Sequence, residues 1–169
     1  MTASLNRLHE EHETLWKGIE SLKETADLIE LAPPEALVIE LEEDHMFLFR
    51  HLLPHAEAEE AVLYRAYDQL ASSPWATETM RRDHVAISTF ADELTAVQLQ
   101  LSMDATTPEQ KQELRRILYG LYALLKVHFS KEEEILLPRL EEALSQAAAD
   151  SLLDSMEAAV QKNEVHAGW

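Results

Sequence analysis

The chain has 169 residues, 46% of them hydrophobic, and its 32 acidic and 14 basic side chains give a formal net charge of −18. That length suits one domain with a sizeable core. So acidic a surface repels phosphate backbones and anionic lipid, so neither nucleic acid nor a membrane is expected as a partner. The absence of cysteine excludes disulfides, thiolate zinc sites, iron–sulfur clusters and thiol catalysis. With no apolar signal segment at Met1–Arg7 and no run of membrane-spanning length, the expectation is a soluble cytoplasmic protein.

Only three glycines and six prolines interrupt the chain, which favours long helices. The first is expected from about Ser4 to the turn at Pro33-Pro34, with Leu5, Leu8, Leu15, Ile19, Leu22, Ala26 and Ile29 in an apolar stripe whose one gap is filled by His12. A second helix, from about Pro34 to Leu70, has the stripe Leu41, His45, Leu48, Leu52, His55, Glu59 and Val62. Pro54 lies inside it and should kink it. Ser73-Pro74 reads as the cap and first residue of a third helix, with Met80, His84, Ile87, Ala91 and Leu94 in line. Thr107-Pro108-Glu109-Gln110 is a capping-box start for a fourth, whose stripe is Leu114, Leu118, Leu121, Leu125, His128, Glu132 and Ile135, ending near Pro138. Arg139 to about Lys162 should form a fifth helix, with Leu140, Leu144, Ala147, Met156 and Val160 on its apolar side.

The second and fourth stripes repeat. Leu41, Leu48, Leu52, His55, Glu59 and Val62 each find a counterpart 73 positions on, in Leu114, Leu121, Leu125, His128, Glu132 and Ile135. Glu11-His12 in the first helix likewise matches Asp83-His84 in the third. This is an internal duplication of a helical hairpin. The fold class that follows is all-α, an up-down-up-down four-helix bundle over 1–138 with an added C-terminal helix and short tail over 139–169.

Six residues converge in that bundle. His55 with Glu59, and His128 with Glu132, are four apart and so share a helix face. From His12 to the end of its helix is about 19 residues, ~28 Å at the helical rise, and the return from the turn to His55 is about as long. His12, His55, His84 and His128 therefore lie at one level, with Glu59 and Glu132 one turn away toward the open end. Buried carboxylates need a partner, and no Lys or Arg lies on these stripes. Mixed imidazole and carboxylate donors suit iron, with manganese and zinc as alternatives, and bundle cores are a known place for paired carboxylate-bridged irons. The competing reading, six separately satisfied core residues, leaves the repeated His-x-x-x-Glu pairs unaccounted for.

His12, His55-Ala56-Glu57-Ala58-Glu59, His84 and His128-Phe129-Ser130-Lys131-Glu132 resemble the hemerythrin-like HHE cation-binding pattern, over roughly Leu5 to Pro138. The resemblance implies two non-haem iron ions bridged by Glu59, Glu132 and an oxo, hydroxo or water group, with the four histidines as terminal ligands. It also implies a small ligand: O₂, NO or peroxide. Oxygen carriers of the family have a fifth histidine, one turn from the counterpart of His84. Met80 and Ser88 hold those places here, which implies an extra open or water-filled metal position. The lack of a cysteine-bearing N-terminal segment argues against the iron-centre repair branch.

Other polar and aromatic residues are read as secondary. His51, one turn before His55, is expected to tune the site from behind the ligands, and His9 to have a surface role. His45 lies ~15 Å from His55 along the helix, too far for the same metal pair. Tyr64, Tyr119 and Tyr122 are read as core rather than ligands, and His166 as part of a mobile tail. Three functions remain: binding or sensing a small ligand, an enzyme decomposing peroxide or oxidising Fe(II), and a metal store or interaction module. The sequence decides neither enzymatic activity nor oligomeric state.

Overall fold

The computed structural model describes residues 3–102 and 105–166, with side chains to 162. Among the described residues it is all-helical, and five helices follow one another: α1 (Asn6–Leu28), α2 (34–70), α3 (Glu78–Gln98), α4 (108–143) and α5 (Gln146–His166). The stripes of α1 and α3 are buried as expected, His12 and His84 included. α1 packs on α4 and α2, α3 packs on the same two, and α5 lies along the 53–63 stretch of α2. No helix among the described residues is long and apolar enough to cross a membrane.

Two apolar clusters enclose the histidine level. One runs from Leu15 on α1 to Ile29 just after it, against Leu37–Leu52, Ile87–Leu94 and Leu114–Leu125. The other joins Leu5, Leu8, Leu63, Tyr64, Met80, Leu136 and Leu140 to Ala149, Leu153 and Met156 of α5. The end of the bundle expected to be open is therefore capped. Arg7 fastens α1 to α5 through Asp154 at 2.8 Å and Glu157 at 2.6 Å.

α2 and α4 are not uniform α-helices. π turns occupy Leu48–Leu52 and Glu59–Leu63 in α2, and Glu132–Leu136 in α4. Each closes with an i→i+5 bond: Leu53 N–H donates to the Leu48 carbonyl, Tyr64 to Glu59, Leu137 to Glu132. Two of them immediately precede the internal prolines, Pro54 and Pro138. Proline lacks the N–H of an α turn and crowds the carbonyl four residues back, and the wider turn relieves both conflicts. α4 therefore continues through Pro138 to Ala143 instead of ending there, and α5 begins at Gln146, not Arg139. α5 accordingly buries Ala149, Leu153 and Met156, while Ala147 is exposed.

The π turns also shift the stripes by one residue. Leu63 and Leu136 are buried where Val62 and Ile135 were expected, and Ile135 is 52% exposed. Before the first of these turns, in regular α-helix, Asp44 is buried in place of His45, which instead stacks on Phe49. The third helix starts later than Ser73-Pro74 suggests. Thr77 precedes it, donating through its N–H and hydroxyl to Asp68 Oδ1 at 2.9 and 3.0 Å. The capping box at Thr107 and Gln110 forms as expected. His166 is the last residue of α5, and its side chain lies outside the described residues.

Candidate metal centre

His12, His55, Glu59, His84, His128 and Glu132 are all buried and meet at one level of the bundle. Their Nε2 atoms form two pairs, His12 with His55 at 3.2 Å and His84 with His128 at 2.9 Å. Glu59 lies between the pairs. Its Oε1 is 3.1 Å from His55 Nε2 and 3.5 Å from His12 Nε2, while its Oε2 is 3.4 Å from His84 Nε2. Glu132 is placed in the opposite sense, with Oε1 3.4 Å from His128 Nε2 and Oε2 3.9 Å from His12 Nε2. Cis donors around an octahedral ion with bonds of about 2.1 Å lie about 3 Å apart. The donor spacing therefore has the scale of metal coordination, in two groups that have Glu59 in common: Glu59, His84, His128 and Glu132, and His12, His55 and Glu59. Site A has His12 and His55, and site B has His84 and His128.

Each imidazole is oriented from behind by a carboxylate on its Nδ1. Glu11 serves His55 at 2.9 Å, Glu133 serves His12 at 2.5 Å, Glu60 serves His84 at 3.0 Å, and Asp83 serves His128 at 3.2 Å. With the Nδ1 proton donated outward, the Nε2 lone pair faces inward, the arrangement that ligating histidines need. The pattern follows the duplication. Glu11 and Asp83 precede His12 and His84 by one residue, and Glu60 and Glu133 follow Glu59 and Glu132 by one.

Among the described residues Glu59 Oε1 and Glu132 Oε2 are buried with no hydrogen-bond partner, which in a low-dielectric core calls for a positive charge. The protonation equilibria show the same demand. Burial resists protonation of His12, yet Glu133 and Glu59 raise its pKa to about 9. Burial likewise opposes a charge on His55, and Glu59 and Glu11 outweigh it to raise that group well above its usual value. Burial and the neighbouring Glu59 carboxylate push Glu132 well above the carboxylate range. Burial would raise Glu59, but His55 and the other histidines hold it well below that range. These protons stand where a cation would stand, so a metal ion must displace them and its affinity should weaken as the pH is lowered. Four imidazoles and two carboxylates fit a divalent first-row metal pair.

The Hemerythrin HHE cation-binding domain model matches residues 3–140, with a second match over 76–163 that begins at the head of the second hairpin. The chain belongs to the hemerythrin HHE cation-binding family. Comparison with curated proteins and with solved structures gives no significant match.

In this HHE domain the two halves of the centre differ. The site B carboxylates have cationic neighbours: Lys131 Nζ lies 2.5 Å from Asp83, and Arg81 3.8 Å from Glu60. At site A, His9 takes the place of Arg81, three residues before its ligand histidine, and lies 2.6 Å from Glu133. His9 is therefore joined to His12 through Glu133, more than the surface role the sequence suggested. Site A also adjoins an open cavity of about 450 Å³ between α1 and α4, lined by His12, His9, Trp16, Phe129 and Glu133 among others. His51, expected to support the site, is exposed beside Met46 and Phe47 and takes no part in it.

Tyr64 is buried in the core, as the sequence suggested, and also reaches the site. Its hydroxyl donates to Glu132 Oε1 at 2.6 Å and lies 3.1 Å from His84 Nε2 and 3.4 Å from His128 Nε2. Burial and the charges of Glu59 and Glu132 keep that hydroxyl neutral in the metal-free chain. In a regular α-helix, five residues rotate ~140°, which would turn Tyr64 away from Glu59. The π turn at Glu59 brings the residue five positions on back toward the same face. The signal available in the sequence was the broken symmetry of the repeat, since Leu137 is the counterpart of Tyr64.

Proposed function

We propose that this protein is a non-haem di-iron protein of up-down-up-down topology that binds or senses O₂, NO or peroxide. The observation that carries the reading is the division of each glutamate between the two histidine pairs, with Glu59 Oε1 toward His55 and Oε2 toward His84. A mononuclear site has no use for a carboxylate shared in this way. Iron is inferred from family membership and from the donor set.

His12 and His55 would hold one ion, His84 and His128 the other, with Glu59 and Glu132 between them. With iron bound, the pair supplies a redox-active centre able to take a small exogenous ligand. Glu11, Glu133, Glu60 and Asp83 fix the imidazole tautomers and supply electron density through the Nδ1–H bonds. Trp16 and Phe129 present apolar surface where the cavity reaches His12, which suits the entry of a small uncharged molecule. Site A has fewer protein donors than six-coordinate iron requires, which leaves places for such a ligand.

The His9–Glu133–His12 chain favours a second reading, turnover of peroxide or oxidation of Fe(II), because it joins the site to the cavity through groups able to move a proton. Anaerobic Fe(II) protein, exposed in turn to O₂, NO and peroxide, tests both. Saturable spectral change at one small molecule per chain supports binding, and oxygen evolution from peroxide beyond that of free iron supports turnover. An iron-loaded protein inert to all three would contradict both.

A further inference from the structure

We propose that Tyr64 is a seventh protein ligand of the dinuclear centre, its phenolate oxygen completing the site B sphere that holds His84, His128, Glu59 and Glu132. This inference rests on the dinuclear reading above and makes the two metal positions unequal: five protein donors at site B, four at site A.

His84 directs Nδ1 to Glu60 and His128 directs Nδ1 to Asp83, at 3.0 and 3.2 Å. With those protons turned outward, both Nε2 atoms present lone pairs inward. The Tyr64 hydroxyl has one proton, and the bond to Glu132 Oε1 at 2.6 Å uses it. Its own lone pairs then face the two Nε2 atoms at 3.1 and 3.4 Å. Four potential donor atoms thus converge, two imidazole lone pairs facing a phenol oxygen that has no second proton to offer them. A tyrosine serving only as hydrogen-bond donor to Glu132 would have no reason to crowd two imidazole lone pairs as well. A cation among the four atoms removes the conflict, and their spacing is that of cis ligands on one ion, about 3 Å.

Position on the helix supports the same assignment. The residues one turn either side of His84 are Met80 and Ser88, neither an equal of histidine as a ligand. α2 supplies the missing donor from across the bundle, through the π turn that begins at Glu59. The same π turn in α4 brings Leu137 to the equivalent place, so site A gains no donor. Arg81 lies over the Tyr64 ring, 5.5 Å from its centroid, and fixes the ring from outside. On binding, the O–H bond breaks, its proton leaves for solvent, and the oxygen forms the metal bond without change of oxidation state. Phenolate is an established ligand of ferric iron in proteins.

The test is the visible and resonance Raman spectrum of the Fe(III)-loaded protein, read with its iron content. A phenolate on ferric iron produces a visible charge-transfer band, and excitation in that band enhances phenolate ring vibrations. The wild type should show both, and Tyr64→Phe should lose both while still holding two irons. Wild-type protein with two irons per chain and no phenolate vibrations would overturn the proposal, and so would a Tyr64→Phe spectrum identical to wild type. Where Tyr64→Phe fails to fold, the wild-type Raman spectrum alone decides. Fewer than two irons in the wild type would instead count against the dinuclear reading, and the Raman bands would still report whether Tyr64 is a ligand.

Discussion

Asp44 offers a test of the packing that is independent of the metal centre. Asp44 takes the core position between Leu41 and Leu48 in place of His45, and is 1% exposed with neither carboxylate oxygen hydrogen-bonded among the described residues. Burial pushes its pKa from 3.8 up to about 7, against partial relief from Thr25 and Ser21. The folded state therefore holds this proton more tightly than the unfolded chain. Its contribution to stability is complete below pH 3.8 and is lost as pH rises through about 7. A shift of about three units at 1.36 kcal/mol each amounts to about 4 kcal/mol. Asp44→Asn keeps the shape and removes the ionisation, so the variant should match the wild type near pH 4 and exceed it by up to about 4 kcal/mol at pH 8. Urea denaturation of both proteins across this range measures the difference, in which the titration of the metal ligands cancels. Parallel pH profiles for the two proteins would refute the placement of Asp44 in the core.

Two further substitutions probe the site and the helix packing. Glu11→Gln weakens the acceptor on His55 Nδ1 and should lower metal affinity by roughly 10–100-fold without unfolding the chain; competition with a chelator measures it, and an unchanged affinity would remove Glu11 from the support of the site. Gly18→Ala should destabilise by about 1–3 kcal/mol through overpacking, because an added Cβ would lie 2.2 Å from the Phe47 ring. That outweighs the roughly 0.5–1 kcal/mol that alanine gains over glycine within a helix, and a raised melting temperature would contradict the close approach.

The convergence of the four histidines and two glutamates was legible in the sequence because two properties coincided: a 3.6-residue period and a duplication that placed His55-Glu59 over His128-Glu132. The carboxylates behind the histidines were half visible. Glu11 and Asp83 appeared as matched neighbours of His12 and His84, but their partners are His55 and His128 on the next helix, which periodicity along one chain segment does not report. The approach of Tyr64 to the site and the burial of Leu63 and Leu136 were hidden for one physical reason. Each lies beside a π turn, where the wider turn shifts the helical face that a constant 100° per residue assigns. The continuation of α4 past Pro138 has the same cause, since the π turn at Glu132–Leu136 accommodates a proline that would otherwise end the helix. His51 was misplaced for want of a surface argument: its counterpart is Leu124, and proximity to His55 in sequence does not turn its side chain inward.

Iron content combined with low-temperature EPR of the oxidised protein tests most directly the proposal that the six residues hold two ions sharing both glutamates. Two irons per chain at saturation and no EPR signal from isolated Fe(III) are expected, because ions bridged in this way are magnetically coupled. One iron per chain with the signal of an isolated ferric ion would contradict it.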